Sequence, residues 1–264
     1  MKISFQEGLI PFEDTAGFYR QVKQWGFDGV EAWGVGLEDR VAEVAAEAKA
    51  AGLQVSAICP GLDGIRGSLL SDDAEERARA MGDIKKLLRC GAELGGAGLN
   101  IVPEFGAVKF MKLYPELEDF DKRKGRFADE LAPAVKEAEK LGTPILLEPL
   151  NRYEAFFLIT VDQAAELCRE FPGGYVKILA DFFHMNIEET STIDSLKRNV
   201  KHIGHVHLAD SNRKLPGQGQ IAFGPALSAL KASGYEGFAS MECSVSGDPA
   251  TVIPESVSYL RKFI

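Results

Sequence analysis

Short apolar runs recur along the whole chain. Each is followed by a turn and then by a longer stretch whose apolar positions fall three and four apart. The first pattern is that of buried strands, the second that of amphipathic helices. Strands are predicted at Lys2–Phe5, Gly29–Trp33, Gln54–Ile58, Gly98–Val102, Pro144–Glu148, Lys177–Asp181, Gly204–Leu208 and Phe238–Glu242. Helices are predicted between and after them, at Thr15–Trp25, Glu38–Ala51, Asp73–Leu94, Phe127–Leu141, Val161–Phe171, Ile193–Val200, Pro225–Ala232 and Pro254–Phe263. Gly26, Gly52, Gly142 and Gly234 stand where helices hand over to strands, as C-capping glycines do. Ser71-Asp72-Asp73 ahead of Glu75 and Glu76 reads as a helix start with acid in its first turn. Strict alternation of this kind predicts an α/β chain folded as one closed parallel (β/α)8 barrel, a single domain over residues 1–264. An open doubly wound sheet would carry a G-x-G-x-x-G turn after its first strand, and none stands there. The longest irregular stretch, Pro103–Gly125, holds Phe105, Phe110, Tyr114 and Phe120 and is a natural place for a lid or an interface.

Composition narrows the partners. With 264 residues the chain is long enough for one large core. A formal net charge of −9 argues against nucleic acid and against acidic membrane surfaces. No stretch is long and apolar enough to span a bilayer, and Met1–Phe5 runs straight into a strand without a signal-peptide core. Cys59, Cys90, Cys168 and Cys243 form no C-x-x-C pair and read as reduced thiols, so a cytoplasmic protein is expected.

The chemistry is concentrated in the second half. Ile145–Glu148, Ile178–Asp181, His205–His207 and Ala239–Glu242 are apolar strands that each end in a metal-binding side chain. In a (β/α)8 barrel, side chains at the strand C-termini converge on one rim. Glu148, Asp181, His207 and Glu242 would therefore line half of it. Three carboxylates so placed repel one another, and a divalent ion is the simplest compensation. Hard oxygen ligands with one imidazole suit Mn²⁺, Mg²⁺, Co²⁺ or Zn²⁺. Further polar groups follow: Glu154 in Glu148–Glu154, His184 in Asp181–Glu189, and Arg213 before the turn residues Pro216–Gly219. His205, two residues before His207, should face the same way one layer deeper, in a supporting or packing role. His202 is expected at the surface. All four histidines lie at or after position 184, which leaves the first half without an imidazole for further metal sites.

The segments EPLNRYE (148–154), DFFHMNIEE (181–189) and HVHLADSNR (205–213), with Pro216–Gly219 and Met241-Glu242, resemble the xylose isomerase-like TIM-barrel superfamily of sugar isomerases and epimerases. Within it they are most similar to the D-tagatose 3-epimerase and 5-keto-L-gluconate epimerase group, over roughly residues 144–245. The resemblance implies that Glu148, Asp181, His207 and Glu242 bind one divalent ion, manganese first, with magnesium, cobalt and zinc as alternatives. It implies that Glu148 and Glu242 double as acid/base catalysts, and that Glu154, His184 and Arg213 hold oxygens of a small sugar or sugar-acid substrate. Family members are often dimers or tetramers, which leaves a homo-oligomer, dimer or tetramer, open for this chain. The first half matches in layout only; Gln6, Glu31, Trp33 and Glu104, at the predicted strand ends, are candidates for specificity.

The expected reaction is 3-epimerisation of a ketose or keto-sugar acid. One glutamate removes the proton beside a polarised carbonyl to give a cis-enediolate, and the other returns a proton to the opposite face. An aldose–ketose isomerase of hydroxypyruvate type, or a dehydratase or lyase on a polyol or keto-sugar, would use the same residues. A DNA-repair endonuclease on such a barrel is disfavoured by the acidic charge and the absence of early histidines. Arg152, Lys109, Lys112 and Lys214 are candidates to receive a carboxylate or phosphate on the substrate.

Overall fold

Eight parallel strands close into a ring in chain order: β1 (Lys2–Gln6), β2 (Gly29–Trp33), β3 (Gln54–Cys59), β4 (Gly98–Ile101), β5 (Ile145–Leu147), β6 (Val176–Asp181), β7 (Ile203–Leu208) and β8 (Phe238–Met241), with β8 pairing back onto β1. The computed structural model describes the backbone of residues 1–105 and 117–264 and the side chains of residues 1–105 and 120–264. Helices α1 (Thr15–Gln24), α2 (Leu37–Ala51), α4 (Ala74–Glu93), α5 (Leu117–Leu141), α6 (Val161–Glu170), α8 (Thr192–Asn199), α9 (Phe223–Ala232) and α10 (Pro249–Leu260) follow the strands in turn. Short helices α3 (Gly61–Gly64) and α7 (Phe182–Glu188) sit in the loops after β3 and β6.

Strand parity sets what the barrel encloses. Successive side chains alternate between the helix layer and the barrel interior. The outward set (Ile3, Phe5, Val30, Ile58, Leu99, Ile145, Ile178, Val206 and others) merges with the helix faces into one core. Ala57, Leu146 and Leu179 form a separate cluster inside the ring. Two residues further along the same faces stand Cys59, Glu148 and Asp181, so the apolar plug carries a polar layer directly above it. Register continues that layer: Asp181 pairs with His207, and His207 with Ser240, two residues before Glu242.

The predicted elements are all present, and the differences have physical reasons. α5 begins ten residues earlier than predicted, at Leu117. Its apolar stripe of Phe127, Leu131, Ala134 and Ala138 continues back to Phe120, which is buried and stacks on Phe157 at 5.4 Å. Gly125 and the surrounding charges mask that continuation. Helix therefore takes up residues 117–125 of the stretch predicted to be irregular, and Phe110, Tyr114, Lys109 and Lys112 lie outside the described residues. α10 starts at Pro249, with Asp248 as its cap and Pro254 inside the helix. Asp73 caps α4, accepting from the Glu75 N–H, and the four predicted C-cap glycines all have positive φ. Among the described residues, no helix is long and apolar enough to cross a membrane.

Behind β1 and β2 a buried acid braces the rim. Glu7 accepts from the Tyr19 hydroxyl, from the Trp33 backbone N–H and from both terminal nitrogens of Arg40, which also donates to the Trp33 carbonyl. The Trp33 ring lies so close to Gly61 (φ +64°) that a Cβ there would meet it at 2.5 Å. Removing Arg40 strands the Glu7 charge. Arg40→Met is expected to lower the unfolding free energy by about 3 kcal/mol or more in urea titration. Arg40→Met with Glu7→Leu, which removes both charges, is expected to recover a large part of the loss.

Candidate active site

Glu148 and Glu242 stand one residue past the ends of β5 and β8. Each is tied to its neighbouring strand, Glu148 N–H to the Ile101 carbonyl at 3.1 Å and Glu242 N–H to the Leu208 carbonyl at 3.2 Å. With Asp181 and His207 they offer ligand atoms that all lie within 4.8 Å of one another. His207 Nδ1 is 3.2 Å from Glu148 Oε1 and 3.3 Å from Glu242 Oε2. Asp181 divides its carboxylate. Oδ1 caps α7 by accepting from the Phe183 N–H at 2.6 Å, and Oδ2 faces the site, 3.2 Å from Arg213. Helix cap and ligand candidate are thus compatible in one residue.

The polar segments that follow the strands lock to one another. Asn151 N–H donates to His184 Nδ1 at 3.1 Å, which assigns the proton of the neutral ring to Nε2 on the site side. Asn151 Nδ2 donates to Glu154 at 2.8 Å. Arg152 clasps Glu188 on α7 through Nε and Nη2, so it braces the site and is not free for a substrate carboxylate. After β7, buried Asp210 accepts from the N–H groups of Ser211, Gly217, Gly219 and Ile221. A Cβ on Gly219 would meet Asp210 Oδ1 at 2.3 Å, so the loop closes this tightly only around glycine. That closure holds Arg213 at φ +59°, a left-handed conformation that a non-glycine residue adopts only when its surroundings fix it. Its guanidinium lies over the Phe183 ring at 4.6 Å and donates to Glu242 Oε2 at 2.8 Å. The turn residues Pro216–Gly219, through Gly217 and Gly219 on Asp210, help hold Arg213 over the rim.

The charges are unevenly matched. Burial pushes the Glu148 carboxyl up, with Glu242 and Asp181 adding to it against the pull of His207. Burial also pushes Glu242 up, but His207 and Arg213 outweigh it and hold that carboxyl at about 2. Burial opposes charge on His207, yet Glu31, Glu242 and Glu148 raise its pKa well above the usual imidazole range. Asp181, Glu148, Glu242 and Glu31 thus face one imidazole and one guanidinium at close range. A divalent cation fits this donor set in charge and in ligand type.

A cavity of about 720 Å³ opens above these groups. It is bordered by Glu148, Glu154, His184, Arg213 and Glu242 and, from the first half, by Gln6, Trp33 and Asn100. Two specificity candidates are corrected. Glu31 does not border the cavity; it is fully buried and bonded to His205 and His207. Glu104 accepts from the Phe156 and Phe157 N–H groups and pairs with Arg123, so it shapes the loop after β5. Asn100 was not foreseen. Its Nδ2 donates to Glu148 Oε2 at 2.7 Å, and the signal was an amide inside the apolar run Gly98–Val102. His205 lies one layer below His207, as expected, while His202 is half-buried rather than at the surface.

The chain belongs to the xylose isomerase-like TIM barrel family, whose profile matches residues 19–263. It is 34% identical over 265 residues to the 3-dehydro-D-guloside 4-epimerase of Escherichia coli (strain K12), covering 99% of both chains. It is 31% identical over 242 residues to a D-psicose 3-epimerase of Enterocloster bolteae, covering 88% of this chain and 77% of that one. The crystal structure of 3-keto-D-glucoside 4-epimerase from E. coli superposes with a TM-score of 0.90 at 32% identity over 99% of both chains. This chain is an enzyme of the sugar epimerase and isomerase kind.

Asp210→Ala leaves four N–H groups without their acceptor and frees Arg213 from its strained position. The variant is expected to be less stable by about 2 kcal/mol or more and to lose most of its turnover. Thermal unfolding and the initial rate at saturating substrate check the two effects separately.

Proposed function

We propose that the protein is a divalent-metal-dependent epimerase that inverts a carbinol carbon next to the ketone of a ketose or keto-sugar. The observation that carries this reading is the convergence of Glu148, Asp181, His207 and Glu242 beneath a cavity bordered by further polar side chains. An ion held by those four would supply Lewis-acid polarisation of the substrate carbonyl, acidifying the neighbouring C–H. Everything else falls to the chain itself. Glu148 and Glu242, on strands three apart, are the proton carriers. One removes the proton and the other returns one to the opposite face of the enediolate. Arg213 and the Nε2–H of His184 stabilise negative charge on the substrate oxygens. Asn100 and Gln6 steady the two glutamates, donating to Glu148 Oε2 and Glu242 Oε1.

The 3-epimerases of ketoses and the 4-epimerases of 3-keto-sugars share one requirement: the inverted carbon adjoins the carbonyl. A 3-keto-glycoside is the second substrate reading. It is favoured by the relative aligned along 99% of both chains and by a cavity volume in the range that encloses ligands larger than a single small sugar.

Glu148→Gln and Glu242→Gln are each expected to lower kcat by about 100-fold or more, the usual scale for losing a general acid or base. Metal content is measured on the same samples; a variant that holds the ion and turns over normally ends the two-base scheme. In D₂O, turnover by the unaltered protein is expected to place deuterium on the inverted carbon, read by NMR across a panel of ketoses and 3-keto-glycosides. Chelator treatment is expected to abolish turnover, and added Mn²⁺ to restore it. Because the carboxylates and His207 must be deprotonated to ligate, metal retention is expected to fall as pH is lowered, checked by equilibrium dialysis.

A further inference from the structure

Glu31 reaches from β2 into the sealed space beneath the four convergent residues. It is fully buried, and so are His205 and His207 beside it. Its carboxylate lies 3.0 and 3.1 Å from His207 Nε2 and 3.2 Å from His205 Nε2, with the Gln6 amide at 3.5 Å. His207 therefore has two different neighbours. Nε2 points down at Glu31, and Nδ1 points up between Glu148 and Glu242. An imidazole can offer a lone pair on only one side when its other nitrogen carries a proton.

We propose that Glu31 is a positioning residue: it fixes the proton of His207 on Nε2, so that Nδ1 presents its lone pair to a divalent ion shared with Glu148, Asp181 and Glu242. The inference rests on the metal-dependent reading above and adds to it the ligating atom and the residue that selects it. A buried carboxylate on the far nitrogen also makes the ring a better donor. His205 gives Glu31 a second N–H to accept, which keeps its carboxylate from turning away. Glu31, His205 and His207 themselves bring ligand atoms within 4.8 Å of one another. An ion among these three would need the lone pair of His207 Nε2, and the neutral ring would then turn its N–H toward Glu148 and Glu242. The two arrangements exclude each other for one neutral His207.

The chain has four histidines, so ¹⁵N-histidine labelling with long-range ¹H–¹⁵N NMR resolves each ring. The unaltered protein is loaded with Zn²⁺ alone, and stoichiometry is taken by calorimetry. One Zn²⁺ per chain is expected, with His207 protonated at Nε2 and bound through Nδ1. Glu31→Gln is expected to fold and to bind Zn²⁺ or Co²⁺ about 10- to 100-fold more weakly, with an altered Co²⁺ absorption spectrum. Binding through His207 Nε2, or two ions per chain, overturns the proposal. So does a folded Glu31→Gln variant with unchanged affinity and spectrum. Should that variant fail to fold, the ring assignment in the unaltered protein decides alone. An unaltered protein that binds no ion overturns the metal-dependent reading itself, which separates the two failures.

Discussion

Like charge, forced together out of water, is the constraint around which the barrel's upper end is built. Glu148, Asp181 and Glu242 offer oxygens within 4.8 Å of one another. At an effective dielectric of about 20, each ionised pair at that separation repels by roughly 3 to 4 kcal/mol, so three pairs approach 10 kcal/mol. That is of the same size as the whole net stability of an ordinary domain. Positive charge has to be delivered to the spot, and the chain delivers it from two directions: His207 from the strand layer and Arg213 from the loop above. The strained backbone at Arg213, and the Asp210 loop that enforces it, follow from the need to hold a guanidinium in one place.

The barrel and its loops divide the labour. Parity along each strand lifts acids and imidazoles above a small apolar plug, and their backbone bonds to neighbouring strands fix their height. Loops then supply groups that meet across elements. Asn151 reaches His184, Arg152 reaches Glu188, and Arg213 reaches both Asp181 and Glu242. Support comes from the first half as well, through Glu31, Gln6 and Asn100. The half of the chain without the strand-end ligand motifs therefore supplies part of the site's framework.

This explains which parts were legible from sequence. The eight strands could be read because buried parallel strands are short, apolar and punctuated by turns, and the strand-end acids stand out against them. Helix ends were legible where a cap is local, as at Asp73 and Gly52. What escaped depends on non-local geometry. Glu31 looks like any strand-end acid, and only closure of the ring from β1 round to β8 brings it under His207 on β7. Glu104 ends a similar run but turns toward the loop after β5. Arg152, a candidate for the substrate in sequence, finds its acid 36 residues away. Phe120 was hidden differently, by a glycine and a run of charges between it and the rest of its stripe.

The same geometry bears on why one residue set serves epimerases and isomerases alike. Both reactions begin by taking a proton from the carbon beside a carbonyl; they part at the carbon that receives it back. Glu148 and Glu242 are not equivalent in their surroundings. Glu148 is deeper and raised by burial and by neighbouring acids, whereas Glu242 is half-buried and lowered by His207 and Arg213. Under the proposed reading, these unlike surroundings distinguish the two faces from which a proton is taken and delivered. Rigid bracing of both glutamates, by Asn100 below one and by Gln6 and Arg213 around the other, keeps the delivered proton aimed at the carbon that lost one.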